Sequence, residues 1–324
     1  MQREGMHMDR RRFWLIARKY ATFVILCIIF LVMFFLTDRF FTFHNLSNVG
    51  RQISMNAILS VGMTMVIISG GIDLSVGAIV AMSSVVCAGV LTNTGQIVPA
   101  VAGALAVGLG IGFLNGILIS RTGIAPFIIT LSSSSICSGA VLVLTMASPI
   151  PLSHDGFKLL GQGSFWIFPY PFLLMIVIFT VFAYLMNQTK FGRYVYAIGG
   201  NEKASVVAGI RVVRTKTLVY SLCGFLASLT GVVYTARLSS GVPSIGEGYE
   251  MQAITAAVIG GASLSGGRGG IWGTLIGAVI IGVLNNALNL LQVNSYYQNI
   301  VTGAVVLVAV LFDRFIQTRV GSEG

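Results

Sequence analysis

The sequence predicts an all-α integral membrane protein of about ten transmembrane helices, folded as two inverted five-helix halves with broken helices near the centre. Three observations predict it. Apolar runs long enough for a hydrocarbon core of about 30 Å recur along the whole chain. Only 9% of residues are charged against 55% hydrophobic, where a soluble domain carries about a quarter charged. Two short segments also return in order: "IGFLNGIL" (Ile111–Leu118) and "SGAVLVL" (Ser138–Leu144) reappear as "IGVLNNAL" (Ile281–Leu288) and "TGAVVLV" (Thr302–Val308). A copied unit of five spans must re-enter the membrane upside down, because five is odd, and inverted repeats are a common transporter plan.

Taken in order, residues 1–19 form a basic N-terminus with Arg10, Arg11, Arg12, Arg18 and Lys19. The first apolar run is too long for a cleaved signal and lacks a small-residue cleavage site, so it reads as a retained helix. The transmembrane domain then covers 20–313, with spans expected at 20–37, 53–70, 77–92, 97–119, 125–146, 170–186, 217–236, 251–264, 271–291 and 299–313, and a tail at 314–324. Ten spans put both termini on one side. On that topology 16 of the 20 Lys and Arg fall on the same side as the termini, which predicts cytoplasmic termini by the positive-inside rule. The charges sit in short connections, and no basic helix with interleaved aromatics is present, so the net charge of +10 does not point to nucleic acid.

Two connections are long. The outer one, 147–169, is rich in Pro, Gly and aromatics; the inner one, 187–216, carries six basic residues. Ala104, Gly108, Gly112 and Gly116 recur four apart in the fourth span, a spacing that lets helices pack closely. Asn115, Asn285, Asn286 and Asn289 are expected to join helices by hydrogen bonds. Cys27, Cys87, Cys137 and Cys223 all lie in apolar runs without pairing or metal spacing, and His7, His44 and His154 are far apart. "GGRGG" (Gly266–Gly270) lacks the Lys-Ser/Thr ending of a phosphate loop, so the chain has no Walker motif of its own.

The polar residues inside the apolar regions are the candidate site. In "SGGIDLSVG" (Ser69–Gly77), Gly70 and Gly71 can break the second span, and Asp73 or Ser75 can accept hydrogen bonds from the opening turn of the third. Asp73 is therefore either a cap at a helix break or a direct contact in a translocation path. The third and eighth spans both read as short, with glycine-rich flanks, a pointer to a transporter's central pathway. Asn56, Thr64, Ser69, Asp73, Ser75, Gln252 and Thr255 line this region in sequence. Hydroxyls and amides suit a neutral polyhydroxylated solute; the alternative is that they bond neighbouring helices. "GGIDLSVG" (Gly70–Gly77) also resembles "GGASLSGG" (Gly260–Gly267), in a register that conflicts with the five-span repeat. In the inner connection Asn201 is placed to cap a short helix over 202–208 that Gly209 would end, with Ala204, Val207 and Ala208 as an apolar face for a protein partner.

"GGIDLSVGA", "FGRYVYAIGGNEKASVVAGI", "YSLCGFLASLTGVVYTARLSS", "GYEMQAITAAVIGGASLSGGRGGIWGTLIGAVIIGVLNNALNLL" and "SYYQNIV" resemble the permease subunits of bacterial ABC importers for monosaccharides, of the ribose type, over Phe41 to Asp313. The resemblance implies a multi-pass protein of the bacterial inner membrane that is not an enzyme and binds no cofactor itself. It implies a second permease copy, a cytoplasmic ATPase with two nucleotide-binding domains that holds ATP and Mg, and a periplasmic or surface sugar-binding protein. The family's ATPase-coupling segment falls on Gly199, Gly200, Asn201, Glu202, Ala204, Gly209 and Ile210. Ser205 stands where the family often has alanine. "GEGYEM" replaces a "GSGYEL"-like pattern, and Glu247, Tyr249 and Glu250 are candidates for docking the binding protein. The rival expectation is an ion- or proton-coupled secondary transporter acting alone. A passive channel is a third, in which the docking loop would have no purpose.

Overall fold

A computed structural model of the chain describes residues 26–28 and 30–294, with scattered positions between 297 and 311. The basic N-terminus, the opening residues of the first expected span, parts of the tenth span with its share of the second repeat, and the tail lie outside the described residues; the described residues of the first span are helical up to Leu36.

Eleven helices form the described part: α1 (Phe43–Ile68), α2 (Val76–Thr94), α3 (Ile97–Thr122), α4 (Pro126–Thr145), α5 (Asp155–Gln162), α6 (Tyr170–Gln188), α7 (Lys190–Gly200), α8 (Glu202–Val207), α9 (Val212–Leu238), α10 (Tyr249–Ile259) and α11 (Ile271–Leu290). Among the described residues seven of these, α1 to α4, α6, α9 and α11, are long and apolar enough to cross a membrane. No sheet closes. Ile150–Pro151 (β1) pairs antiparallel with Ser240–Gly241 (β4), and Ser164–Phe165 (β2) forms a hairpin with Phe168–Pro169 (β3).

Local chemistry sets most helix ends. Thr42 caps α1 through its hydroxyl, Gly95 and Gly123 end α2 and α3 in the left-handed conformation, and prolines open α4 and α6. Five spans match the hydropathy expectation within a few residues: α2, α3, α4, α6 and α11. Three others differ. Helix α1 begins at Phe43 instead of 53, because its polar first turns lie outside the apolar run. They are held there by a reciprocal amide pair: Asn45 Nδ2 donates to Asn286 Oδ1 at 3.0 Å and Asn286 Nδ2 to Asn45 Oδ1 at 2.9 Å. Helix α9 begins at Val212, taking Arg214 and Lys216 out of the inner connection. Helix α2 has 19 residues and is not short, whereas α10 has only 11, about 17 Å of helix or half a bilayer.

Helices α1 and α9 are buried along most of their length and form the centre, with α3 and α4 at the rim. The small face of α3 packs directly on α9. A Cβ on Gly108 would strike the Gly224 carbonyl of α9, and one on Gly112 the Tyr220 carbonyl, so the two backbones touch. Gly112→Val is expected to lower stability by about 1–3 kcal/mol, read from thermal unfolding in detergent. Gly110→Val should change nothing, since a Cβ there meets no atom within 4 Å.

Candidate functional site

The bundle has two ends. At one, the α3 C-terminus, the α9 N-terminus, α7 and α8 gather; at the other lie α5, the β2–β3 hairpin and the α9 C-terminus. Between them run a helix break, a non-helical segment and a glycine junction.

The break follows α1. Gly71 N–H donates to Val66 O and Gly70 N–H to Ile67 O, with Gly70 at φ +83, a conformation glycine adopts without cost. Asp73 is fully buried. Its Oδ1 accepts from the Ser75 N–H at 2.9 Å and the Ser75 hydroxyl at 2.5 Å, a carboxylate turn that closes on the backbone two residues ahead. Ser75 then opens α2. Asn115 of α3 donates to Ser75 Oγ at 3.0 Å, and Ser133 of α4 donates to Asn115 Oδ1. One hydrogen-bonded chain thus ties the break to two neighbouring helices. The other carboxyl oxygen, Oδ2, is buried without a hydrogen-bond partner, and the Tyr220 hydroxyl of α9 lies against Gly71. Among the described residues no Lys or Arg ion-pairs with Asp73. The local arrangement is that of a buried joint.

Asn115 stands about 10 Å along α3 from Thr122, so the break lies well inside the bundle. A second non-helical segment meets it there. Gly241 packs against Ala88 and Ser84 of α2, and Gly246 against Gly77. Residues 241–246 therefore descend about 12 Å along α2, and α10 starts from that depth. Backbone without helix at membrane depth is tolerated where protein buries it or where it lines a water-filled cavity. Glu250 lies against Gly77, half-buried; Glu247 and Ser244 are exposed; the Tyr249 ring packs on Tyr234 with centroids 5.4 Å apart. Glu247, Tyr249 and Glu250 thus sit deep in the bundle, away from the hairpin end where a binding protein is expected to dock.

The glycine junction joins three segments. Gly267 N–H donates to Ile68 O at 2.9 Å. Gly199, at the end of α7, is wedged onto that bond: a Cβ there would overlap both Ile68 O and Gly267 N. Gly266, at φ +82, faces the Gly199 carbonyl and Gly70 Cα. The likeness of Gly70–Gly77 to Gly260–Gly267 has its reason here. Both α1 and α10 end in the same glycine turn, with Gly261 and Ala262 repeating the bonds of Gly70 and Gly71 one position later in that comparison.

Helix α8 follows at once. Asn201 Oδ1 accepts from Ala204 N–H at 2.9 Å, Gly209 takes φ +80, and Ile210 N–H closes on Ser205 O. Ser205 is buried and its hydroxyl donates to Asn201 O at 2.9 Å, a bond that alanine would lack. Lys216 pairs with Glu202 at 2.6 Å. Ala204, Val206, Ala208 and Val207, the last 90% exposed, remain uncovered.

The remaining expected path residues lie inside the bundle. Thr64 shares a 2.7 Å hydrogen bond with Thr274, and Ser69 and Thr255 bond back to Val66 O and Met251 O. Asn56 is buried; Gln252 is partly open. Sequence reasoning passed over Ser132, Ser135 and Ser138, which are exposed at mid-length on α4. The signal was the run Ser132–Ser135 within an apolar span. Among the described residues no group of three or more His, Cys, Asp and Glu converges to hold a metal.

Spanning helices, a half-length helix and a deep polar segment are the parts of a membrane transport permease. A family model for the branched-chain amino acid transport system / permease component matches residues 45–310, and the chain belongs to that family. The ribose import permease protein RbsC of Bacillus subtilis (strain 168) is 44% identical over 97% of this chain and 99% of its own length. Its namesake in Escherichia coli (strain K12) is 45% identical over 93% and 94%. The D-allose transport system permease protein AlsC of Escherichia coli (strain K12) is 38% identical over 92% of each.

Proposed function

We propose that the chain is the membrane permease of an ATP-driven ABC importer for a monosaccharide of the ribose kind, and that it forms the translocation pathway. One observation carries the reading of how it is driven. The segment from Gly199 to Ile210 builds a capped helix with uncovered apolar side chains, rooted by Gly199 in the end of α1. That helix, α8, docks on a cytoplasmic ATPase with two nucleotide-binding domains, which holds ATP and Mg; the permease itself is not catalytic and binds neither. A second permease copy completes the pathway, and a periplasmic or surface binding protein delivers the sugar. The chain is a multi-pass protein of the bacterial inner membrane with both termini in the cytoplasm, ten spans and inverted halves. Reciprocal packing supports the halves: α3 lies on α9 as α11 lies on α1, with α1 and α9 in contact between them.

The pathway follows the deep polar segment. Glu247, Glu250, Gln252 and Ser244, together with the exposed hydroxyls of α4, are exposed or half-exposed at membrane depth, where charged side chains face water or each other and not lipid. Tyr249 and Glu250 serve there better than as docking residues. Asn56, Thr64, Ser69, Asp73, Ser75 and Thr255 hold the helices around it.

Two measurements test this. In vesicles holding the permease, ATPase and binding protein, sugar uptake should require ATP and survive collapse of ion gradients. Uptake by the permease alone on a proton or sodium gradient would establish the rival secondary transporter. Ser244→Cys should react with a charged, water-soluble thiol reagent, while Val177→Cys, on the exposed face of α6, should not; equal inertness would remove the pathway from this segment.

A further inference from the structure

An apolar rim stands at the hairpin end of the bundle, covered by no described part of the chain. Helix α5 turns Phe157 and Gly161 inward, Gly161 against the backbone of Ala236 and Arg237, and leaves Leu159 and Leu160 open. The β2–β3 hairpin continues the rim. Phe165 pairs across from Phe168, so the loop is the two residues Trp166 and Ile167. Trp166 is 83% exposed and Phe165 66%.

The backbone of that loop is unusual. Trp166 has φ +55, a value that two-residue hairpin loops ordinarily give to Gly, Asn or Asp. A bulky residue there is strained, and the strain buys no contact inside the protein. It is spent on holding an indole outward.

Chain connectivity fixes the level at which this happens. Pro169 ends the hairpin and Tyr170 begins α6, a helix of 19 residues that spans the hydrocarbon. The rim therefore lies within a few residues of the membrane boundary. No charged residue occurs between Lys158 and Lys190, and Phe168 of the hairpin stacks on Phe172 of α6 with ring centroids 5.9 Å apart, so the hairpin leads directly into α6, whose Val177 and Val181 are exposed. At its base Arg51 donates to Gln162 O at 3.1 Å, placing a guanidinium near headgroup depth. Trp and Tyr collect at that level because their rings are apolar and their N–H or O–H groups seek water.

We propose that the β2–β3 hairpin is a membrane-interface anchor, with Trp166 seated among the lipid headgroups and upper acyl chains. A protein partner, either a second copy or a soluble protein, would need a complementary apolar face at the same level. The hairpin's continuity with a lipid-facing helix favours lipid.

The chain has three tryptophans, Trp14, Trp166 and Trp272, so W14F/W272F leaves Trp166 as sole reporter. The full-length variant is reconstituted in vesicles whose phospholipids carry bromine near the headgroup or near the chain ends. Headgroup-proximal bromine should remove most of the Trp166 emission, chain-end bromine much less, and aqueous iodide little. Emission lost to iodide but untouched by bromolipid would place the indole in water and overturn the proposal. Insensitivity to both would show a protein cover and also overturn it. Should W14F/W272F fail to fold, Phe165→Trp in a W166F background, with Trp14 and Trp272 retained, must gain bromolipid quenching relative to W166F alone.

Discussion

Gly199→Ala is expected to cut sugar uptake by at least about ten-fold, about 1.4 kcal/mol of coupling, while the permease still assembles with its ATPase. The added methyl would fall between the Ile68 carbonyl and the Gly267 N–H, which bond each other at 2.9 Å. Backbone cannot yield there without moving the end of α1 and the glycine loop between α10 and α11 apart. That is also the point where α8, three residues further on, is attached to the bundle. A load taken up by α8 would pass through Gly199 to both glycine turns, and a displaced junction would pass it on poorly. Gly200→Ala is the matched control, because a Cβ there meets nothing within 4 Å. The measurement is uptake in reconstituted vesicles beside co-purification of the ATPase. Transport by Gly199→Ala equal to that of Gly200→Ala would remove the junction from the coupling route.

The second large effect belongs to Asp73. Asp73→Asn keeps an oxygen for the Ser75 N–H and hydroxyl, and it is expected to fold and to retain most uptake. Asp73→Ala removes the one oxygen that accepts both bonds and leaves two buried donors of Ser75 without a partner on the carboxyl side. The expected loss is about 2–4 kcal/mol, enough to deplete folded protein in the membrane. The pair separates the two roles open to this residue. A hydrogen-bonded joint tolerates the amide and fails with alanine. A carboxylate that must carry charge or touch the solute fails with both. Melting temperature and vesicle uptake for each variant decide it, and an Asp73→Asn protein that is stable but inactive would assign Asp73 a direct part in transport.

Much of this molecule is written locally. The limits of α3, α4, α6 and α11 follow from apolar length together with Gly95, Gly123, Pro126 and Pro171, because each end is decided by residues adjacent to it. Helix α8 is legible for the same reason: Asn201 at one end and Gly209 at the other are sufficient to start and stop it. The polar beginnings of α1 and α9 are not legible from hydropathy, since a helix that continues beyond the hydrocarbon carries no apolar signal. The eighth span already reads as short, and α10 is short; the depth at which it starts is not legible. Its starting depth depends on Gly246 meeting Gly77, two residues far apart in the chain whose contact no local pattern encodes.

The same division runs through the candidate site. Composition and periodicity by themselves determine a polytopic helical membrane protein, and the motifs determine its family, because hydrophobic length, capping and glycine turns act over a few neighbouring residues. Only the folded arrangement decides that Asp73 is enclosed and tied to Ser75, that Glu247 and Glu250 lie at depth instead of at the rim, and that three segments meet at one glycine junction. Burial and backbone contact between distant segments are properties of packing, and packing is settled only when every helix has found its partners.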